Sequence, residues 1–400
     1  MALLGWPLVL TLATAAVAVT VATVLLWPRV RGPRPLRLGA QLGMLMAGHV
    51  TVLLLVGAVV NDYGYFYGSW SDMLGHGGTT SVVVAGGRGP STNATRPPAG
   101  QGAVREYRFA GHPTPAAARP ETIGPEAQLA ASWSAPSQWT VRGRLEALQV
   151  RGARSELSTP ILVYLPPQYF QRAYRHTEFP ALEVLTGYPG TTTGLVLRLH
   201  YPDVLLHEIA ARRAQPMVLV MARPTVAPPR DTECTDVPGG PLALTYLSED
   251  VPSAVEQAVR VSPVGWAAMG DSTGGYCATK MALTHSDVFT SAVSLSGYYH
   301  TLKDGTTGDL WAGSAVMRNL NDLEWLLANE PPPPVSLLLT IGTAERGRNG
   351  IADTQRFMAL VRPPLRARAV YVRGAGHNLS DWASQLPNAI DWVSQQATSA

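Results

Sequence analysis

Lysine is almost absent from this chain. Lys280 and Lys303 are the only two in 400 residues, so arginine carries nearly all of the positive charge. Cysteine is as scarce, with only Cys234 and Cys277. That excludes a disulfide-dense scaffold and a cysteine-rich zinc site. Histidines are few and scattered, and no His, Cys, Asp or Glu cluster has metal-ligand spacing, so neither a metal nor another cofactor is expected. His200 and His207 share one predicted helix and read as surface or packing residues. The net charge of +3 is not a basic patch. Arg29, Arg31, Arg34 and Arg37 have no acidic neighbour before Asp62, and without these four the chain nets −1. No basic stripe remains for nucleic acid. No internal repeat is present either. The length suits one large domain with accessory segments or two ordinary domains.

Charge is missing altogether from two stretches. Residues 2–27 are uncharged and bracketed by Trp6 and Trp27. About 21 helical residues span roughly 32 Å, enough for a hydrocarbon core of roughly 30 Å with aromatic residues at its interfaces. Residues 38–60 are uncharged too, and the aromatic cluster Tyr63, Tyr65, Phe66, Tyr67 and Trp70 follows them. His49 in the second stretch reads as a packed, neutral residue. The arginines lie between the two stretches. Positive residues favour the cytoplasmic side, which puts this loop inside and everything after residue 61 outside. The first stretch has no basic n-region and is too long for the apolar segment of a signal peptide. Residues 1–61 are therefore expected to form a transmembrane hairpin, with spans 2–27 and 38–60.

Residues 62–138 follow as an extracytoplasmic linker rich in Gly, Pro, Ala and Thr, with one short strand expected at Ser81–Ala85. A catalytic domain is expected over 139–400. Apolar runs suited to strands recur at Ile161–Leu165, Leu182–Leu185, Met217–Met221, Trp266–Met269, Phe289–Leu295, Val335–Ile341 and Ala367–Val372. Helical patterns separate them at Leu195–Arg213, Val251–Arg260, Gly275–Thr284, Thr354–Val361 and Asp381–Gln395. Such alternation predicts a mostly parallel sheet with helices on both faces. Glu183 is out of character within its strand and calls for an edge position or an arginine partner.

Gly270-Asp271-Ser272-Thr273-Gly274 joins a predicted strand to a predicted helix. A serine on such a turn needs small neighbours, because strand and helix pack closely around strained backbone. Ser272 is therefore the candidate nucleophile. In an α/β-hydrolase the acid and then the histidine follow the serine in the chain. His377, in Gly374-Ala375-Gly376-His377-Asn378, comes just after the last strand. Glu345 stands at the end of the strand Val335–Ile341 and is the preferred acid. Asp353 is the alternative acid, although its position before a helix also suits an N-cap. The oxyanion hole would take backbone N–H groups from Thr273 and from Tyr188 in Thr186-Gly187-Tyr188-Pro189-Gly190, because Pro189 has none. Cys234 and Cys277 are a disulfide candidate, though two buried thiols would give the same count.

These residues resemble a bacterial esterase family of α/β-hydrolases that includes esterase D, enterochelin esterases, feruloyl esterases and the antigen 85 mycolyltransferases. The similarity covers roughly residues 139–397. Tyr164-Leu165-Pro166-Pro167-Gln168-Tyr169 resembles the family's entry strand, and Gly270–Gly275 its elbow. Gly342–Glu345 resembles the acid turn of the feruloyl esterase branch. Gly376-His377-Asn378, with Trp382 beyond it, resembles the histidine segment. Asp231–Cys234 and Gly275–Ala278 resemble a membrane-anchored actinobacterial branch. Thr186 departs from the usual His or Asp at the oxyanion loop, and Met358 stands where mycolyltransferases place their acid. The resemblance implies a serine carboxylic-ester hydrolase acting outside the cell membrane through a Ser-Glu-His triad and an acyl-enzyme, on an acyl-ester substrate that includes envelope lipids or glycolipids. A cell-envelope acyltransferase with the same triad is one alternative, and a non-catalytic envelope scaffold is the other.

Overall fold

The computed structural model describes residues 6–64, 105–107, 124–345 and 349–397. The expected strand Ser81–Ala85 lies outside them. The chain divides into two compact units, Met1–Gly77 and Gly78–Ala400.

The first unit consists of α1 (Trp6–Leu26) and α2 (Arg34–Gly64), joined through the single turn Trp27–Arg29. Leu8 near the start of α1 packs with Ala58 near the end of α2, so the helices form an antiparallel hairpin. Two segments, Pro7–Arg29 and Arg34–Val60, are long and apolar enough to cross a membrane. Their outward surface is apolar, with Val17, Val24, Leu42 and Leu53 all exposed. The hydroxyls of Thr11, Thr14, Thr20 and Thr51 each donate to the carbonyl four residues earlier, and His49 Nδ1 donates to Leu45 O at 2.8 Å. These five side chains thus find acceptors on their own helices.

The second unit is built on a nine-stranded sheet, in the order β1-β2-β3-β5-β4-β6-β7-β8-β9. The strands are β1 (Arg105–Tyr107), β2 (Arg144–Arg151), β3 (Ser158–Leu165), β4 (Ala181–Leu185), β5 (Val218–Ala222), β6 (Trp266–Asp271), β7 (Phe289–Leu295), β8 (Ser336–Gly342) and β9 (Arg366–Val372). β3 pairs antiparallel with both neighbours and every other pairing is parallel. This is the α/β-hydrolase arrangement expected from the sequence. Strand residues alternate between two cores. Val218, Val220 and Ala222 face one, with α6 (Val251–Ala258), α7 (Thr273–Thr284), α9 (Leu323–Asn329) and α10 (Ile351–Leu360). Leu219 and Met221 face the other, with α3 (Pro125–Trp133), α4 (Thr192–Leu197), α5 (Tyr201–Ala210) and α11 (Leu379–Ala397). The short α8 (Ala315–Leu320) buries none of its residues.

Three expectations need correction. Packed elements precede Trp139: β1 pairs with β2, and α3 follows β1 in the chain. In α3, Ala127 and Trp133 are buried, Trp133 meets Tyr164 edge-on with ring centroids 6.3 Å apart, and Glu126 accepts from Thr192 Oγ1 at 2.8 Å. The single helix expected over Leu195–Arg213 is two, α4 and α5. Pro202 lacks an N–H and cannot continue a helix from behind, so the chain breaks at His200, which takes φ +54°, and restarts with proline in the first turn of α5. Glu183 is neither at an edge nor paired with arginine. It sits on β4 between Val220 of β5 and Ala268 of β6, fully buried, and neither carboxyl oxygen has a hydrogen-bond partner among the described residues.

Burial pushes the Glu183 carboxyl well above its ordinary range. The folded chain therefore holds a proton there that the unfolded chain releases above about pH 4.3. The stability linked to this proton is fully present below that pH and is lost as pH rises toward the folded value. Glu183→Gln should flatten this decline in urea unfolding midpoints between pH 5 and 8 (roughly the accessible range). Glu183→Met should add about 1–3 kcal/mol near neutral pH by removing an unpartnered buried polar group. A Met variant that is less stable than the wild type at pH 8 would contradict this account.

Candidate active site

The sheet delivers the site at the ends of its central strands. β6 is buried throughout and runs directly into Ser272, and α7 starts at the next residue. Ser272 holds φ +51° and ψ −118°, a strained conformation for a residue with a side chain. Its N–H donates to Leu295 O at the end of β7, at 2.9 Å. Strand and helix close tightly around this turn. A Cβ on Gly270 would lie 2.4 Å from the Gly274 carbonyl carbon, and one on Gly274 would lie 2.3 Å from Leu185 O. Only glycine fits at either place.

Ser272, His377 and Glu345 come together from three separate segments. His377 Nε2 lies 2.9 Å from Ser272 Oγ, and His377 Nδ1 lies 2.9 Å from Glu345 Oε2. The imidazole is held from several sides. Trp382 meets it edge-on with ring centroids 4.9 Å apart. Asp381 N donates to Asn378 Oδ1 at 3.1 Å, and Asp381 Oδ2 accepts from Gly376 N and Asn378 Nδ2, each at 2.7 Å. The start of α11 and the histidine turn are thereby one hydrogen-bonded unit. Glu345 is 5% exposed at its side chain, against 45% for His377. The acid is therefore shielded while the imidazole remains reachable. The other Glu345 oxygen accepts from Ser296 Oγ at 2.6 Å and from Gly342 N at 2.9 Å. Burial pushes this carboxyl up, but the bonds from His377, Ser296 and Gly342 outweigh it and hold it below its ordinary value.

Asp353 is elsewhere. It lies inside α10, whose N-cap is Gly350, so it is not the cap residue. Its carboxylate is 1% exposed and meets His300 Nδ1 at 3.2 Å and the Arg356 guanidinium. Thr273, the first residue of α7, directly follows Ser272. The Tyr188 hydroxyl donates to Pro229 O at 2.9 Å, which ties the turn after β4 to the loop before Asp231. Cys234 and Cys277 are joined as a disulfide with Cα atoms 5.6 Å apart.

Several buried polar residues near the elbow were not among the site candidates read from the sequence. Thr273 Oγ1 donates to Asp231 Oδ2 at 3.3 Å, and Tyr298 OH donates to Glu233 Oε1 at 2.6 Å. Burial pushes the Asp231 carboxyl up to about 6 and that of Glu233 up to about 8. Lys280, on α7, is fully buried and donates to Cys234 O at 2.6 Å and to Asn321 Oδ1. Burial brings its amine down to about 7. The rarity of lysine was the one available hint toward Lys280. Ser296 follows β7 in the left-handed region at φ +52° and carries no sequence mark beyond its glycine neighbour.

A sequence profile described as "Putative esterase" matches residues 153–393, well over half of the chain. The chain belongs to this esterase family. It is accordingly an enzyme acting on acyl esters, as a hydrolase or an acyltransferase. A 69-residue segment is 38% identical to the MPT51 antigen of Mycobacterium leprae (strain TN). That match spans 17% of this chain and 23% of the length of the antigen. Among solved structures, a ferulic acid esterase superimposes with a TM-score of 0.53 at 19% identity, covering 63% of this chain and 97% of its own. An S-formylglutathione hydrolase from Agrobacterium tumefaciens gives 0.53 at 14% identity, covering 64% and 95%. The fluorophosphonate-binding serine hydrolase F of Staphylococcus aureus gives 0.50 at 18%, covering 62% and 97%. At these identities the likeness establishes the fold of the esterase unit.

Proposed function

We propose that this esterase is a serine carboxylic-ester hydrolase that works through an acyl-enzyme, tethered to the outer face of the cytoplasmic membrane. The observation that supports the chemistry is the continuous hydrogen-bonded row from Ser272 through His377 to Glu345. Ser272 Oγ attacks the substrate carbonyl carbon as His377 Nε2 takes its proton. The tetrahedral intermediate collapses, His377 returns the proton to the leaving alcohol, and the acyl group stays on Ser272. Water then repeats the sequence and releases the acid. Glu345 holds His377 in the tautomer with its proton on Nδ1 and stabilises the imidazolium. The N–H groups of Thr273 and Tyr188 receive the oxyanion, aided by the positive end of α7.

The tether rests on three observations. The segments Pro7–Arg29 and Arg34–Val60 have the length and hydropathy to span a bilayer. Arg31 lies between them, with Arg29 and Arg34 at the flanking span ends, and this favours retention of the connection on the cytoplasmic side. The disulfide Cys234–Cys277 suits the oxidising side. External protease added to intact cells should release the esterase unit; protection from it would contradict this orientation.

The chemistry is tested by labelling the detergent-solubilised full chain with a fluorophosphonate. The wild type should be labelled on Ser272, and Ser272→Ala should not. An unlabelled wild type would sink the reading. Assaying the labelled-competent enzyme on acyl esters with and without a sugar acceptor then separates hydrolysis from transfer. Free acid as the dominant product in both is the expected result.

A further inference from the structure

The position just before Ser272 holds a buried acid that the acyl-enzyme chemistry does not use. Asp271 ends β6 and is 3% exposed. Its Oδ2 accepts the N–H of Gly187 at 2.9 Å, and its Oδ1 has no hydrogen-bond partner among the described residues. Gly187 belongs to the turn that follows β4. β4 and β6 are neighbours with Leu185 opposite Gly270, so the two strands release Thr186–Tyr188 and Asp271–Thr273 side by side. The approach is close. A Cβ on Gly187 would lie 2.7 Å from Asp271 Oδ2 and 3.1 Å from Ser272 Cβ.

Four backbone positions of this turn are unavailable as donors. Thr186 N–H goes to Ala222 O at 3.4 Å, Gly190 N–H goes to Gly187 O at 2.7 Å, Gly187 N–H goes to Asp271, and Pro189 has none. None of these four positions can donate to a bound oxyanion. The segment that presents Tyr188 is thus anchored at Gly187 by a side chain one residue away from the nucleophile.

We propose that Asp271 is a positioning residue for the oxyanion hole: by accepting the Gly187 N–H it locks the turn after β4 onto the nucleophile elbow, and so brings the Tyr188 and Thr273 N–H groups to one point beside Ser272. The inference rests on the acyl-enzyme reading above. A carboxylate suits the task because hydrogen bonds to an ionised acceptor are shorter and stronger than neutral ones. The elbow and the turn belong to adjacent parallel strands, and this hydrogen bond joins them. Oxyanion donors act only when fixed in advance, since the stabilisation depends on their not having to reorganise during reaction. Asp271 supplies that fixation without touching substrate.

The test is steady-state hydrolysis of a chromogenic short-chain ester by the solubilised full chain. Asp271→Ala removes the acceptor, and kcat should fall by about 10²-fold with KM changed by less than about threefold, close to the effect of losing one oxyanion donor. Asp271→Asn keeps an acceptor oxygen at the same place and should hold kcat within about fivefold of the wild type. A merely structural acid would not produce this split between kcat and KM, nor this rescue by asparagine. Gly187→Ala attacks the same joint from the other side, and its kcat should fall with KM nearly constant, whether or not Asp271→Ala folds. Wild-type kcat in a folded Asp271→Ala, or in Gly187→Ala, overturns the proposal. So does an equal loss in the alanine and asparagine variants. Fluorophosphonate labelling separates the two levels of inference. If the wild type labels and Asp271→Ala turns over normally, only the role of Asp271 fails; if the wild type does not label, the acyl-enzyme reading fails and takes this one with it.

Discussion

His377→Ala is expected to lower kcat/KM for a simple acyl ester by about 10⁵-fold, while leaving the thermal unfolding midpoint within a few degrees of the wild type. Serine alone is a weak nucleophile at neutral pH, and the only base within hydrogen-bond reach of Ser272 Oγ among the described residues is His377 Nε2, at 2.9 Å. Removing the ring leaves no group to take the serine proton or to return it to the leaving alcohol. The remaining rate would come from the oxyanion donors and from binding. The ring is exposed and packs edge-on against Trp382, so its loss should cost little packing. Fluorophosphonate labelling should slow in parallel with ester turnover, because both begin with attack by Ser272. A variant that labels at the wild-type rate would show that another group activates the serine.

The two candidate acids give the second large contrast. Glu345→Gln should reduce kcat by about 10⁴-fold, since an amide nitrogen facing Nδ1 favours the wrong imidazole tautomer and offers no charge to the imidazolium. Asp353→Asn should leave kcat within about threefold. The carboxylate of Asp353 is occupied with His300 and Arg356, away from the row that contains Ser272. Its loss should appear in stability, at about 1–3 kcal/mol for a broken buried charge-assisted bond. Measuring kcat and urea unfolding on both variants decides the matter. A 10⁴-fold loss in Asp353→Asn, with Glu345→Gln nearly intact, would reverse the assignment.

The parts of the fold that could be read in advance are those with one dominant physical cause. Strands buried on both faces need mostly apolar runs, so β4 through β8 stood out even with Glu183 in β4. The elbow needed Gly270 and Gly274 for clearance, and chain order then led to Glu345 and His377. β2 was hidden because Glu146 and Gln149 interrupt its apolar pattern. Both are nearly buried, and their partners lie at Arg144, 3.0 Å from Glu146, and at Ser158, whose Oγ receives Gln149 Nε2 at 2.9 Å. The Gln149 bond exists only after β2 meets β3, whereas Arg144 and Glu146 pair within β2. α3 was hidden by the Gly- and Pro-rich composition around it. Glu183 was conspicuous, but its proton could not be inferred before its position in mid-sheet was known. The contacts of Ser296, Asp231, Glu233 and Lys280 join distant segments, and no local spacing encodes such approaches.

The Cys234–Cys277 bridge has a topological side. Its ends are 43 residues apart, and the ring it closes contains β6, the elbow and Ser272, but neither Glu345 nor His377. Ser272 therefore belongs to a covalent circle, whereas Glu345 and His377 lie outside it. In the unfolded chain such a ring forgoes roughly 4 kcal/mol of conformational freedom on the chain-entropy view. A single peptide cut inside the circle would leave both flanks of the serine attached to the same molecule, but one cut between Glu345 and His377 would sever the histidine from it. Of the three residues in the proposed triad, His377 is the one that the covalent chain secures least.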